Sequence, residues 1–394
     1  RIRRQRAQVA PEIRAVNRPR RPQVGGAWAE LATQQAAAAD LKRELDAVRG
    51  LAAFAVVLYH YTTRYDLKVG HLSAPLFEVP WGHYGVELFF LLSGFVIFMT
   101  LERTRRSSDF LISRVSRLYP GYWVGMACTL TAVAVLGAPY ASYELASTDV
   151  ALNTTMLQRY VPGTPNVDGA YWTLSVELTF YALVLGLFAT GLLKRIRLAI
   201  VALLGIELIL HVATDGGHAS APLYLRAVRQ VFLSHYGPYF AAGILFYKLR
   251  HEPETGMHFV DRGLIALCLA CVAIMRPGAD LVASLVCFVI FSLLTGGYLR
   301  HLANRPLLFL GGISYSLYVV HQVIGFLVIR TSTGLGLGTN AAIALAILVS
   351  ITLATTITHL VELPAQRWLR TNLRRWRDEG LPWRRKRRPE PEPA

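Results

Sequence analysis

The sequence predicts an all-α integral membrane protein, a bundle of about ten transmembrane helices with both termini cytoplasmic, and three observations carry that prediction. The first is composition: 53% of the 394 residues are hydrophobic and the mean hydropathy is +0.37, too apolar for an ordinary soluble enzyme. The second is the spacing of ten apolar runs, each near the roughly 20 residues that cross a hydrocarbon core. They fall at 46–64, 84–101, 119–138, 171–190, 195–213, 231–249, 262–275, 279–297, 307–329 and 340–361. The third is the alternation of charge between the connections.

Cytoplasmic connections accumulate Lys and Arg. The connection after the second run holds Arg103, Arg105, Arg106, Arg114 and Arg117; that after the fourth holds Lys194, Arg195 and Arg197; that after the eighth holds Arg300 and Arg305. Between Pro139 and Ala170, Arg159 is the only cation, beside Glu144, Asp149 and Asp168. Both basic tails fall on the arginine-rich side. Residues 1–42 read as a disordered basic arm without the apolar core of an export signal, 43–368 as the membrane domain, and 369–394 as a basic tail ending in a Pro/Glu repeat. The net charge of +16 therefore reports topology and contact with anionic lipid, not nucleic-acid binding. Cys128, Cys268, Cys271 and Cys287 all sit in apolar runs without metal-ligand spacing to His, so neither disulfides nor a metal is expected. Asn153-Thr-Thr155 matches a glycosylation acceptor, a pattern common by chance.

Ionisable residues inside spans are costly and are the first candidates for function. In LDAVRGLAAFAVVLYH, Arg49 and His60 return to within about 20° of one helix face with a rise of roughly 16 Å, and Asp46 stands one turn before Arg49 to pair with it. The bland alternative is an interfacial anchor and a satisfied core histidine. Arg114 and Arg117, one turn apart before a Tyr-Pro break and beside Tyr119, Tyr122 and Trp123, form a fork suited to phosphate oxygens. In YWTLSVELTFY, Glu177 lies within two turns of Trp172 and Ser175 and must be paired or protonated. It could orient His60, accept a proton, or pair with an arginine. In FLGGISYSLYVVHQ, Ser314, Tyr315, Tyr318 and His321 share roughly one face. Glu207 and His211 read as a self-contained structural pair, and Ser93-Gly94 as a close helix crossing.

LDAVRGLAAFAVVLYH, GVELFFLLSGFVIF, SRVSRLYPGYW, YWTLSVELTFY, FLGGISYSLYVVHQ and VELPAQRW resemble, in the same order, the signature segments of the acyltransferase family 3 membrane proteins. The likeness runs from Leu45 to Trp368. It implies a ten-helix bundle that takes an acyl group, usually acetyl, from coenzyme A on the cytoplasmic side and passes it to a hydroxyl of a glycan or related acceptor. The family's Arg and His pair falls on Arg49 and His60, its Arg-x-x-Arg on Arg114 and Arg117, and its span-four acid on Glu177. Glu87 stands where Asp is usual, and Leu178 follows Glu177 where many members carry a second acid. The stretch after Trp368 leaves no room for the soluble domain some members append, so transfer is expected to finish within the membrane domain.

The resemblance and the residues together give an expected mechanism. Arg49, Arg114 and Arg117 bind the donor's phosphates, His60 takes the proton of the attacking hydroxyl, and Glu177 supports it; transfer through a transient acyl-histidine or acyl-serine is the alternative route, which the sequence does not separate from this one. Asp46, Tyr119, Trp123, Trp172, Ser175, Ser314, Tyr315 and His321 are the supporting residues. No cofactor is held permanently, and acetyl-CoA or another acyl-CoA is the co-substrate. The partners are the bilayer of the cytoplasmic membrane and a hydroxyl acceptor on an exported polysaccharide, or alternatively on a secreted small molecule or lipid-linked sugar. A proton-coupled transporter of an anion or glycan precursor is the competing class.

Overall fold

The computed structural model describes residues 24–214, 222–233, 235–252 and 256–379; of the expected arm and tail, residues 1–23 and 380–394 lie outside the described residues. The described residues are helical and include no strand, as a bilayer requires of any chain that must satisfy its backbone internally without closing a barrel. The chain divides into two units, Arg1–Lys42 and Arg43–Ala394. In the first, residues 24–42 are helical; the second holds the long apolar helices and every candidate site residue.

The principal helices are α1 (Val24–Tyr59), α2 (Gly85–Glu102), α3 (Ser107–Leu136), α4 (Trp172–Ala189), α5 (Ile196–Ala213), α6 (Gly237–His251), α7 (Met257–Met275), α8 (Ala279–Thr295), α9 (Arg305–Gly334), α10 (Thr339–Ile357) and α11 (Leu363–Glu379). Seven helical stretches among the described residues are long and apolar enough to cross a membrane: Pro80–Glu102, Ser107–Leu136, Gly169–Ala189, Leu192–Ala213, Met257–Met275, Arg305–Gly334 and Thr339–Glu379. The other expected runs fall on shorter or more polar helices among the described residues: α8 has 17 residues, α6 starts at Gly237 and has 15, and the run in α1 carries Asp46 and Arg49 within it.

Helix α9 is the centre of the bundle. Its most apolar window is 83% buried, against 22% for α7, and it packs chiefly on α10 and α3. Its start is fixed by Asn304, whose side chain accepts from the Leu307 N–H, and by Pro306 in the first turn. Against α1 it crosses backbone to backbone: a Cβ on Gly311 would lie 2.0 Å from the Asp46 carbonyl oxygen, and one on Gly50 2.3 Å from that of Leu307. That crossing fixes the height of Arg49. The close crossing expected at Ser93-Gly94 is also present, with Gly94 against the Phe240 carbonyl and Gly243 of α6 against that of Leu91.

Several expectations need correction. No break occurs at Tyr119: α3 is one helix with Pro120 inside it, so Arg114 and Arg117 belong to a span and not to a connection. Proline removes one N–H from the ladder but does not end a helix whose neighbours hold it on both sides. Asn153 is fully buried, with its amide donating to the Asp149 and Pro165 carbonyls and accepting from the Val167 N–H; this residue organises a turn and is no exposed glycosylation acceptor. Glu87 is ion-paired: Arg276 holds it at 2.7 Å and Asp280 at 3.1 Å, joining α2 to the α7–α8 connection. Glu207 accepts from the Gly237 N–H at 3.1 Å, tying α5 to the start of α6 rather than closing on His211 alone.

Gly243→Val should lower the detergent-solubilised melting temperature by the equivalent of about 1–3 kcal/mol or more, since a backbone carbonyl cannot rotate away. Gly263→Ala, whose added carbon meets nothing within 4 Å, should leave it unchanged or slightly raised; equal melting of both variants would refute the crossing.

Candidate active site

The first helix changes character at His60. From His60 to Arg64 the chain makes one π-helical turn, a local widening often found where a side chain must be aimed. His60 Nδ1 lies 2.8 Å from the Val56 carbonyl oxygen. A carbonyl can only accept, so Nδ1 carries the proton. His321 of α9 is fully buried, and its Nδ1 lies 2.8 Å from the Tyr318 carbonyl, so it too is protonated at Nδ1. Its Nε2 lone pair then faces the His60 Nδ1–H at 3.2 Å, with the rings edge to face at 4.7 Å. Both tautomers follow, and the lone pair of His60 Nε2 is left for chemistry.

The stretch of α9 around His321 is held from three directions. Tyr61, the residue after His60, donates its hydroxyl to the His321 carbonyl at 2.7 Å and lies 2.6 Å from the Ser350 hydroxyl of α10. Fully buried Asp168, at the end of the connection before α4, accepts from the Val323 N–H with one oxygen and from the Ala170 N–H with the other, each at 2.9 Å. The Tyr318 hydroxyl lies 2.8 Å from that of Thr173.

On the arginine-rich side of this pair lies an open-mouthed cavity. Arg49, Arg114, Arg117, Glu177, Ser314 and Tyr315 line it, with Ser93, Phe89 and Tyr318. Tyr318 is the link to the histidines, its ring 5.5 Å from that of His321. Arg49 is held by Asp46 at 2.8 Å. Arg114 lies over the rings of Phe110 and Tyr181 at 5.5 and 5.8 Å. Glu177 accepts from the Ser93 hydroxyl at 2.6 Å and from the Tyr181 hydroxyl. It therefore reaches neither imidazole through these bonds; the partner of His60 is His321. The Ser314 hydroxyl donates to the Gly311 carbonyl, and the Tyr315 hydroxyl to the Leu118 carbonyl, each bond bracing the cavity wall.

Other expected residues lie elsewhere. Tyr119, Tyr122 and Trp123 donate to the carbonyls of Thr155, Asn153 and Thr154 at 3.1, 2.6 and 2.9 Å, so α3 grips three consecutive peptides of the 139–170 segment. Ser175 donates to Met156 of the same segment at 2.7 Å. Trp172 packs at a tilt against Tyr236, ring centroids 5.2 Å apart, and lies under the guanidinium of Arg159. Sequence reasoning does not mark Asp168, Tyr61, Ser93 or Glu362 as site residues. Glu362 ends a second π-helical turn, Thr358–Glu362, just before Pro364, and accepts from the Ser316 hydroxyl of α9 at 2.7 Å. Its sequence signal is an acid two residues before a proline inside an otherwise helical run.

The family model described as an acyltransferase domain, acyltransferase 3, matches residues 42–359. This chain belongs to the acyltransferase 3 family. Over 131 residues, 28% of this chain, it is also 28% identical to nodulation protein 10 of Rhizobium leguminosarum bv. viciae. That match covers 36% of the relative, so the chain spans about a third of the length of the curated protein it matches. No solved structure matches this acyltransferase 3 family chain. Its several long apolar helices and its family together make it a multi-pass membrane protein.

Tyr61→Phe removes the donor to the His321 carbonyl and the partner of Ser350 while keeping the ring. Its expected cost is about 1–3 kcal/mol of stability, read as a lower melting temperature of the purified protein; an unchanged melting temperature would show that Tyr61 does not hold α9.

Proposed function

We propose that this protein transfers an acyl group, most simply acetyl, from cytoplasmic acyl-CoA to a hydroxyl of a cell-surface or exported polysaccharide. It does so within the cytoplasmic membrane, with both termini inside, and the family's acyltransferase description supports the reaction class. The observation that carries the reading is one cavity lined by Arg49, Arg114, Arg117 and Glu177, with Tyr318 in its wall one ring away from the His60 and His321 pair. Cations at the mouth suit the donor's phosphates, and an imidazole at the far end suits the acyl carbon.

The steps balance without a resident cofactor. The acceptor hydroxyl attacks the thioester carbonyl carbon as its proton passes to His60 Nε2. The imidazolium keeps its Nδ1–H on the Val56 carbonyl and the His321 lone pair, which spread the new charge. Collapse of the tetrahedral intermediate breaks the carbon–sulfur bond, and His60 returns the proton to the leaving thiolate. Glu177, in the cavity wall beside the arginines, sets the charge of the donor channel rather than the base. The 139–170 segment, gripped by Tyr119, Tyr122, Trp123 and Ser175, frames the acceptor side.

Purified protein given acetyl-CoA and an acceptor-bearing extract should release CoA. His60→Ala should lose roughly 10²–10⁴-fold in rate. His321→Ala should lose roughly tenfold in kcat, since the Val56 carbonyl still holds the Nδ1–H and one hydrogen bond of about 1.4 kcal/mol is removed. Intact acetyl-CoA together with proton-coupled solute uptake into proteoliposomes would overturn the proposal in favour of transport.

A further inference from the structure

The basic face of α11 runs along the start of α3, and its arginines divide into two sets. Arg374 and Arg377 share Asp109, at 3.1 and 2.9 Å. Asp378, their neighbour, pairs with Arg106 and Arg377, and Arg375 pairs with Glu379. Those contacts staple the helix down. Arg370, one turn before Arg374 on the same helix, forms no ion pair among the described residues. One of its terminal nitrogens lies 3.4 Å from the Ser113 hydroxyl, and its Nε is buried without a hydrogen-bond partner.

Arg114 is in the same condition. One of its terminal nitrogens lies 3.5 Å from the same Ser113 hydroxyl and 3.3 Å from that of Thr100, it is 9% exposed, and its Nε is likewise buried and unpartnered. Arg117, one turn further along α3, forms no ion pair among the described residues. Glu177 shares the cavity wall with Arg114 and Arg117, but its hydrogen bonds go to Ser93 and Tyr181, and none of the three guanidiniums forms an ion pair among the described residues. A buried unpaired N–H on a cation is expensive. Neighbouring Arg374, Arg375 and Arg377 are ion-paired, so the lack is local. A tetrahedral dianion with several acceptor oxygens would fill it, since guanidinium forks match phosphate geometry.

We propose that Arg370 completes a phosphate site with Arg114 and Arg117 across Ser113, and that this site takes a phosphate of the donor's nucleotide end. Helix α11 is then part of the donor site and not only a surface anchor. The inference rests on the acyl-CoA reading above and adds a binding residue to it. A lipid headgroup offers the same phosphate chemistry, so the test must separate the two sources.

Initial rates are measured for wild type and Arg370→Gln with acetyl-CoA and with acetyl-pantetheine, which lacks the nucleotide phosphates, in nanodiscs of neutral lipid and again with anionic lipid. The expected result is a KM for acetyl-CoA raised roughly tenfold, the loss of about one charge-assisted contact, with kcat kept, little change for acetyl-pantetheine, and partial recovery in Arg370→Lys. Normal rates with acetyl-pantetheine double as the folding control. An equal change for both donors that appears only in anionic lipid would assign the site to a headgroup and overturn the donor assignment. Wild-type behaviour of Arg370→Gln with both donors would overturn the inference alone. A wild type that turns over neither donor would overturn the proposed function and the inference with it.

Discussion

The hydrogen bond from His60 to His321 is the constraint on which the site depends. It joins residues 261 positions apart, and each ring is already committed to a carbonyl one turn back along its own helix. Because both Nδ1 atoms are donors by that commitment, the pair has one arrangement: His321 accepts, His60 donates, and the unprotonated nitrogen of His60 is the one left over. Nothing charged is needed to achieve this. In a span, where charge is costly, two imidazoles set by backbone carbonyls orient one another without a buried ion pair.

The bond in turn requires α1 and α9 to keep their register. Small residues let the two backbones touch at Gly50 and Gly311. Tyr61 ties the far side of the crossing to the His321 carbonyl, and Asp168 reaches the Val323 N–H from the 139–170 segment. Asp168 sits outside the spans, and burial pushes its carboxyl up from the usual range to about 7, against the two backbone N–H groups that favour its ionised form. The segment that frames one side of the bundle is thus the same one that braces the histidine helix.

Much of the fold was legible. Length and apolarity alone marked the long helices, and the small Ser93-Gly94 step marked a crossing, because both depend on local composition. Arg49, Arg114, Arg117, Glu177, Ser314 and Tyr315, each singled out in the sequence, line one cavity. What could not be read was which polar group answers which. Glu177 was a natural partner for His60 on chemical grounds, yet its hydrogen bonds go to Ser93 and Tyr181, a matter of helix rotation that period alone leaves free. Tyr119 and Trp123 sat beside the arginines in sequence but project to other faces of α3, because neighbours along a helix point 100° apart. Pro120 read as a boundary since the local cost is real, and only tertiary packing keeps the helix running through it.

The central claim is that His60 presents an unprotonated Nε2 because its Nδ1–H is held by the Val56 carbonyl and His321. Nitrogen-15 solid-state NMR of histidine-labelled protein in lipid, at neutral pH and assigned by comparison with His60→Ala and His321→Ala, tests this directly. The account predicts both residues as neutral Nδ1–H tautomers, with the His60 Nδ1 resonance shifting when His321 is replaced. A His60 protonated at Nε2, or one indifferent to His321, would contradict it.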